Sequence, residues 1–170
     1  MSTVALISIS EYLSTSYRSD VDYVDGEIKE RNVGEWPHSR AQGLLTTFLT
    51  QRETQFGIRV VPEQCVQVSP TRFRIPDVCV QLRSDPFEPI VRFPPFLCIE
   101  ILSRDDRASD LTERITDYLR MSVRFIWVID PLARKTFIHT PGHMHEVTDG
   151  VLRTHDPEIT VPLDAILETD

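Results

Sequence analysis

The chain has 170 residues, 41% of them hydrophobic and 26% charged, a balance that excludes wholesale disorder and suits one domain spanning residues 1–170. Its formal charge is −8, so any nucleic-acid partner must be met by a local cluster of cations, not by the molecule's overall field. Three cysteines without a CxxC pair argue against a disulfide frame, no ~20-residue apolar run suits a membrane span, and the first residues do not read as a signal peptide, so a cytoplasmic protein is expected.

Residues 1–9 read as a loose lead-in, with Ser10 able to cap a short helix through Tyr12. Val21–Val24 and Ile28–Arg31 flank Asp25-Gly26, a hairpin signal. A helix then begins near His38. Its stripe is Ala41, Leu44, Leu45, Phe48 and Leu49, and Gly57 is its stop. Three strand-like runs follow, at 59–68, 74–82 and 96–102, the last two separated by a proline-rich loop. A second long helix is expected over 109–121, with Leu111, Ile115, Tyr118 and Leu119 buried. The unbroken apolar run 124–129 suits a strand covered on both faces. A small tail of strands closes the chain, turning at Gly142 and Gly150. The sum is an α/β (α+β) chain: a mixed central sheet flanked by helices, an N-terminal hairpin and a β-rich tail.

Two strands each carry one acid in an apolar setting. Residues two apart share a strand face, so Asp77 lies with Cys79, and Glu100 with Cys98. A carboxylate there needs a partner, a hydrogen bond or a cation. If the strands are neighbours, Asp77 and Glu100 can share one divalent ion, and two carboxylates plus water suit Mg²⁺, with Mn²⁺ as substitute. The competing reading is an acid that caps a strand end or pairs with an arginine. Cys79 and Cys98 beside these acids would suit Zn²⁺, although buried cysteines usually only pack. His139, His143 and His145 read as edge histidines, with a metal pair the less favoured alternative. Arg74 and Arg104 flank the acid strands, as phosphate contacts or as ion-pair partners. Trp36 can stack on a base or cover the core.

The ordered set Tyr23-Val24-Asp25-Gly26-Glu27, His38, Arg74-Ile75-Pro76-Asp77, Cys98-Ile99-Glu100, Asp110 to Tyr118 and Val123 to Pro131 resembles the Uma-type restriction endonucleases, a branch of the PD-(D/E)XK nuclease superfamily. The resemblance covers roughly residues 10 to 167. It implies a restriction-endonuclease-like core, Mg²⁺ dependence and hydrolysis of DNA phosphodiesters. It matches Asp77 and Glu100 to the metal-binding acids, and gives Glu27 and His38 supporting roles. The superfamily's lysine two residues after the acid is Leu102 here. The branch's substitute lysine falls on Arg114, which can stabilise a phosphate but, with a pKa above ~12, cannot act as a base. Two-strand cleavage would suit a homodimer. Acids that face apart, or are each locked in their own ion pair, would sink the nuclease reading. The alternative from another class is a catalytically weak or inactive domain that binds a nucleic acid or a protein.

Overall fold

The computed structural model describes residues 5–32 and 34–168. Helix α1 (Ile9–Ser14) is capped by the Ser8 side chain, which accepts from the Glu11 amide, so Ser8 and not Ser10 opens it. The lead-in is tied down where it is described. The Ile7 amide donates to the Gly26 carbonyl at 2.9 Å, and the Tyr23 hydroxyl donates to the Ile7 carbonyl at 2.9 Å.

Strands β1 (Val21–Val24) and β2 (Glu27–Glu30) form the expected hairpin, with Asp25 (φ 50°) and Gly26 (φ 99°) both left-handed, as a tight antiparallel turn requires. Helix α2 (Trp36–Thr50) carries Pro37 in its first turn and buries Ala41, Leu45 and Leu49. A short helix α3 (Glu53–Phe56) follows and ends on Gly57 at φ 68°.

The next two apolar runs each divide between two sheets. The first gives β3 (Ile58–Pro62) and β4 (Val66–Ser69). The second gives β5 (Arg72–Arg74) and β6 (Val78–Leu82). Glu63, at φ 52°, turns the chain out of one sheet, and Ile75-Pro76-Asp77 carries it back. A proline cannot donate to a ladder, so the break falls there. Strands β7 (Leu97–Ile101), β8 (Phe125–Asp130), β9 (Lys135–Thr140) and β10 (His143–Glu146) complete the large sheet, and α4 (Ala108–Arg120) joins β7 to β8.

The six-stranded sheet has the order β10-β9-β8-β7-β6-β3, with β7 and β8 parallel and the other neighbours antiparallel. The parallel pair needs the crossover that α4 supplies. A four-stranded sheet has the order β2-β1-β5-β4. Strands β11 (Val151–Arg153) and β12 (Thr160–Pro162) make a small hairpin.

Alternation along the strands divides the core. Val78, Val80, Leu97, Ile99 and Trp127 pack with Leu45 and Leu49 of α2 and with Leu152 and Val161 of the last hairpin. Cys79, Cys98, Ile126 and Val128 pack with Ile115 and Tyr118 of α4. Tyr12, Val21, Tyr23 and Phe73 form a third cluster between α1 and the smaller sheet. No helix among the described residues is long and apolar enough to cross a membrane.

Candidate active site

Strand register brings the two acids together. Val78 pairs with Ile99 and Cys79 with Cys98. Carried one residue further, that antiparallel register sets Asp77 opposite Glu100, with both side chains on the α4 face. Asp77 sits where the chain passes between the sheets, and its carbonyl accepts from the Glu63 amide at 3.2 Å and from Gln42 Nε2 at 2.9 Å.

Each carboxylate is already engaged at both oxygens. Asp77 Oδ2 accepts from the Ile101 amide at 2.7 Å. Its Oδ1 accepts from the Arg31 guanidinium and lies 3.3 Å from His38 Nε2. Glu100 Oε2 accepts from Arg114 Nη1 at 2.7 Å, and its Oε1 accepts from the Tyr118 hydroxyl at 2.6 Å. Arg114 also reaches Asp106 Oδ1 at 3.3 Å. Asp77 is 2% exposed and Glu100 1%, so these partners, not water, balance the charges.

The environment drives the two acids apart in acidity. Burial pushes Asp77 up, but the His38 hydrogen bond and the Arg31 charge outweigh it and hold the carboxyl below its usual range. Burial raises Glu100 to about 7; the Asp77 charge adds to this, and the Arg114 charge opposes it. Burial alone would lower His38, but its bond to Asp77 raises it above an ordinary histidine. The Tyr118 phenol is pushed up by burial and by Glu100, and it stays a donor.

Asp77 opens on a cleft of about 1010 Å³, lined also by Arg31, His38, Gln42 and Arg114, whereas Glu100 lies behind Arg114 and Tyr118 and does not line it. The cleft wall is acidic. Among the described residues, nine carboxylates (Asp20, Asp22, Glu30, Glu63, Asp77, Asp105, Asp106, Asp110 and Glu113) outnumber six Arg or Lys (Arg18, Lys29, Arg31, Arg74, Arg107 and Arg114).

The other sequence candidates fall elsewhere. Glu27 is on β2, half-exposed and ion-paired to Lys29, and does not line the cleft. Arg74 lines the cleft but is buried and spent on structure. Its guanidinium donates to Asp22 at 3.2 Å, to Glu113 at 2.9 Å and to Asp117 at 2.7 to 2.8 Å. Arg104 is exposed, 3.9 Å from Glu35, and outside the cleft wall. Trp36 is 74% exposed and lines a separate hollow with Pro37, Leu132, Ile166 and Leu167. His143 and His145 are exposed on β10. Cys79 and Cys98 are buried free thiols facing each other across β6 and β7. Among the described residues no three His, Cys, Asp or Glu groups converge as a ready metal cage, neither the cysteines with a carboxylate nor Asp77, Glu100 and His38.

Arg31, Gln42, Asp106 and Tyr118 belong to the site without having been picked out in the sequence. Tyr118 had a signal, since it follows Arg114 by four residues on one helix face. Arg31 had none; it sits just past a short edge strand and reaches Asp77 only through the fold.

A divalent ion passes one test here and strains another. The donors have the right chemistry: two hard carboxylates set beside each other by strand register, one of them opening on a cleft with an excess of acids. Each acid sits in its own ion pair, Asp77 with Arg31 and Glu100 with Arg114, which is the outcome set against the nuclease reading, and a cation would have to compete with both guanidiniums. The residues fit a metal provided an arginine yields.

A mixed sheet with Glu100 on β7 and Asp77 at the entry to β6, backed by a helix that sends a cation to Glu100, is a restriction-endonuclease-like arrangement. The chain belongs to the Uma2 family, described as putative restriction endonucleases, whose model matches residues 10–167. The fold is similar to the crystal structure of a putative nuclease of the DUF820 group from Anabaena variabilis, with a TM-score of 0.81, 20% identity, and coverage of 95% of this chain and 97% of that one. No curated protein matches the chain.

Proposed function

We propose that this chain is a metal-dependent endonuclease acting on DNA, with Asp77 and Glu100 as its reactive centre. The observation that carries the reading is that strand register sets Asp77 beside Glu100, with Asp77 opening on an acidic cleft, in a chain of a nuclease family. Such a cleft disfavours a phosphate backbone, and a cation bound together with it would offset the repulsion. Mg²⁺, or Mn²⁺ in its place, would be held by Asp77 and Glu100 and would neutralise phosphate charge and acidify an attacking water.

This chain's own residues then have separable tasks. Arg114, set by Glu100 and Asp106, offers a guanidinium to the phosphate. It cannot take a proton, so it supports charge and nothing more. His38 is oriented by Asp77 through Nε2, and its Nδ1 is buried without a partner among the described residues, so its supporting task is to hold the Asp77 carboxylate. Tyr118 holds Glu100 in place from the apolar side.

The second reading is a binding domain without catalysis, favoured by the full engagement of all four acid oxygens. One experiment separates the two. Mn²⁺ is titrated by calorimetry into wild type and Asp77→Asn, each with a short phosphorothioate DNA duplex, and both proteins are incubated with plasmid and Mg²⁺. Uptake and nicking by wild type, both lost in the variant, support the enzyme. Uptake without nicking supports the binder. Neither uptake nor nicking refutes the metal-dependent reading.

A further inference from the structure

Arg31 is the one charged group against the acid pair that the nuclease reading leaves without a task. Its guanidinium sits on Asp77 Oδ1, the oxygen left over once Oδ2 has taken the Ile101 amide. Its only ion-pair partner among the described residues is Asp77. Arg114, by contrast, sits on a long helix and is held by two acids, Glu100 and Asp106. Arg31 lies one residue beyond β2, on the connection to α2, where no ladder fixes the backbone.

Charge decides what this contact does. Arg31, Arg114 and His38 already stand against Asp77 and Glu100, with Asp106 sharing Arg114, so cationic groups occupy the site before any metal arrives. A divalent cation added to it would crowd three positive groups and find Oδ1 taken. A phosphodiester changes the balance. It accepts a guanidinium through two oxygens, as a carboxylate does, and it brings its own negative charge into the site.

We propose that Arg31 is a displaceable counter-cation, which closes Asp77 to metal in the free protein and moves to the substrate phosphate, so that metal uptake depends on a bound phosphodiester. This rests on the reading of Asp77 and Glu100 as metal acids. It makes Arg31 a specificity residue: an anion of the right class must enter the cleft before the acids are released.

The test is Mn²⁺ binding to the full chain, read by electron paramagnetic resonance of free Mn²⁺ and by calorimetry, with near-ultraviolet circular dichroism as the check on folding. Wild type is measured alone and with a short phosphorothioate DNA duplex; Arg31→Met and Arg31→Gln are measured alone. The expected result is at least tenfold tighter Mn²⁺ binding by wild type with the duplex than without it. Either folded Arg31 variant should match the duplex-bound affinity with no DNA present, and adding Asp77→Asn to it should abolish the gain. Wild type and a folded Arg31 variant binding Mn²⁺ alone within twofold of each other would overturn the proposal. The two readings fail separately. Nicking of plasmid by a wild type whose metal affinity ignores Arg31 sinks this inference and leaves the nuclease standing. Metal gained in the Arg31 variant, with no protein that nicks DNA, keeps the inference and sinks catalysis.

Discussion

Glu100 is an acid buried against Tyr118 with Arg114 at its other oxygen. Burial raises it from 4.5 to about 7, so the folded protein holds its proton more tightly than the unfolded chain does. Its contribution to stability is therefore fullest below about pH 4.5 and is lost as pH rises through about 7. Asp77 behaves oppositely, because its folded value is lowered and its contribution fades only as pH falls through the acid range. In metal-free buffer, the melting temperature of wild type relative to Glu100→Gln should fall between pH 5 and pH 8; parallel curves would show that Glu100 is not shifted. Arg114 makes a second residue-scale prediction. A lysine there keeps the charge near Glu100 and adds a group whose proton can be lost, so Arg114→Lys should raise the plasmid-nicking rate if the arginine limits catalysis. An unchanged or lower rate would place the limit elsewhere.

At the scale of elements, helix α4 carries both Arg114 and Tyr118, and its position decides whether they meet Glu100. An ion-pair network fixes that position. Arg74 and Arg72 of β5 bind Glu113 and Asp117 of α4, and Arg74 also binds Asp22 of β1. The network joins the smaller sheet to the helix. Arg74→Met would leave Asp22 and Asp117 buried without their shared cation, and the expected loss is about 3–5 kcal/mol in urea unfolding. A loss under about 1 kcal/mol, the range of an exposed pair, would contradict the clamp. The positions of α2, α4 and the β1–β2 hairpin followed from apolar spacing and from Asp25-Gly26. The division of 59–68 and 74–82 between two sheets did not. Both runs have strand composition throughout, and composition does not say which sheet a strand joins. The break is made by a left-handed Glu63 and by Pro76, each legible only once the neighbouring ladder is in place.

For the whole molecule, the dominant fact is negative charge, −8 over the chain and an excess of acids in the cleft. Phosphate backbones are held by released counterions, and this cleft has few free cations to release them. DNA binding should therefore be at least tenfold tighter in Mn²⁺ than in EDTA when measured by fluorescence anisotropy with a phosphorothioate duplex. Equal affinity in both would mean that the cations of the protein suffice and that metal plays no part in binding.

Asp77 and Glu100 were each legible from sequence as acids that demand a partner, because strand alternation and apolar flanks are local properties, whereas their pairing with each other came from the family resemblance. The identity of that partner was decided by tertiary structure. Arg31, Arg114, His38 and Tyr118 come to the acids from a hairpin end and two helices, and a buried charge takes whichever donors the packing delivers to it. The same packing sent Arg74 to the α4 clamp and left Glu27 with Lys29 at the edge. The reason is physical. Which residues share a strand face is set by the period of the backbone, whereas which charges meet across elements is set by how separate layers stack.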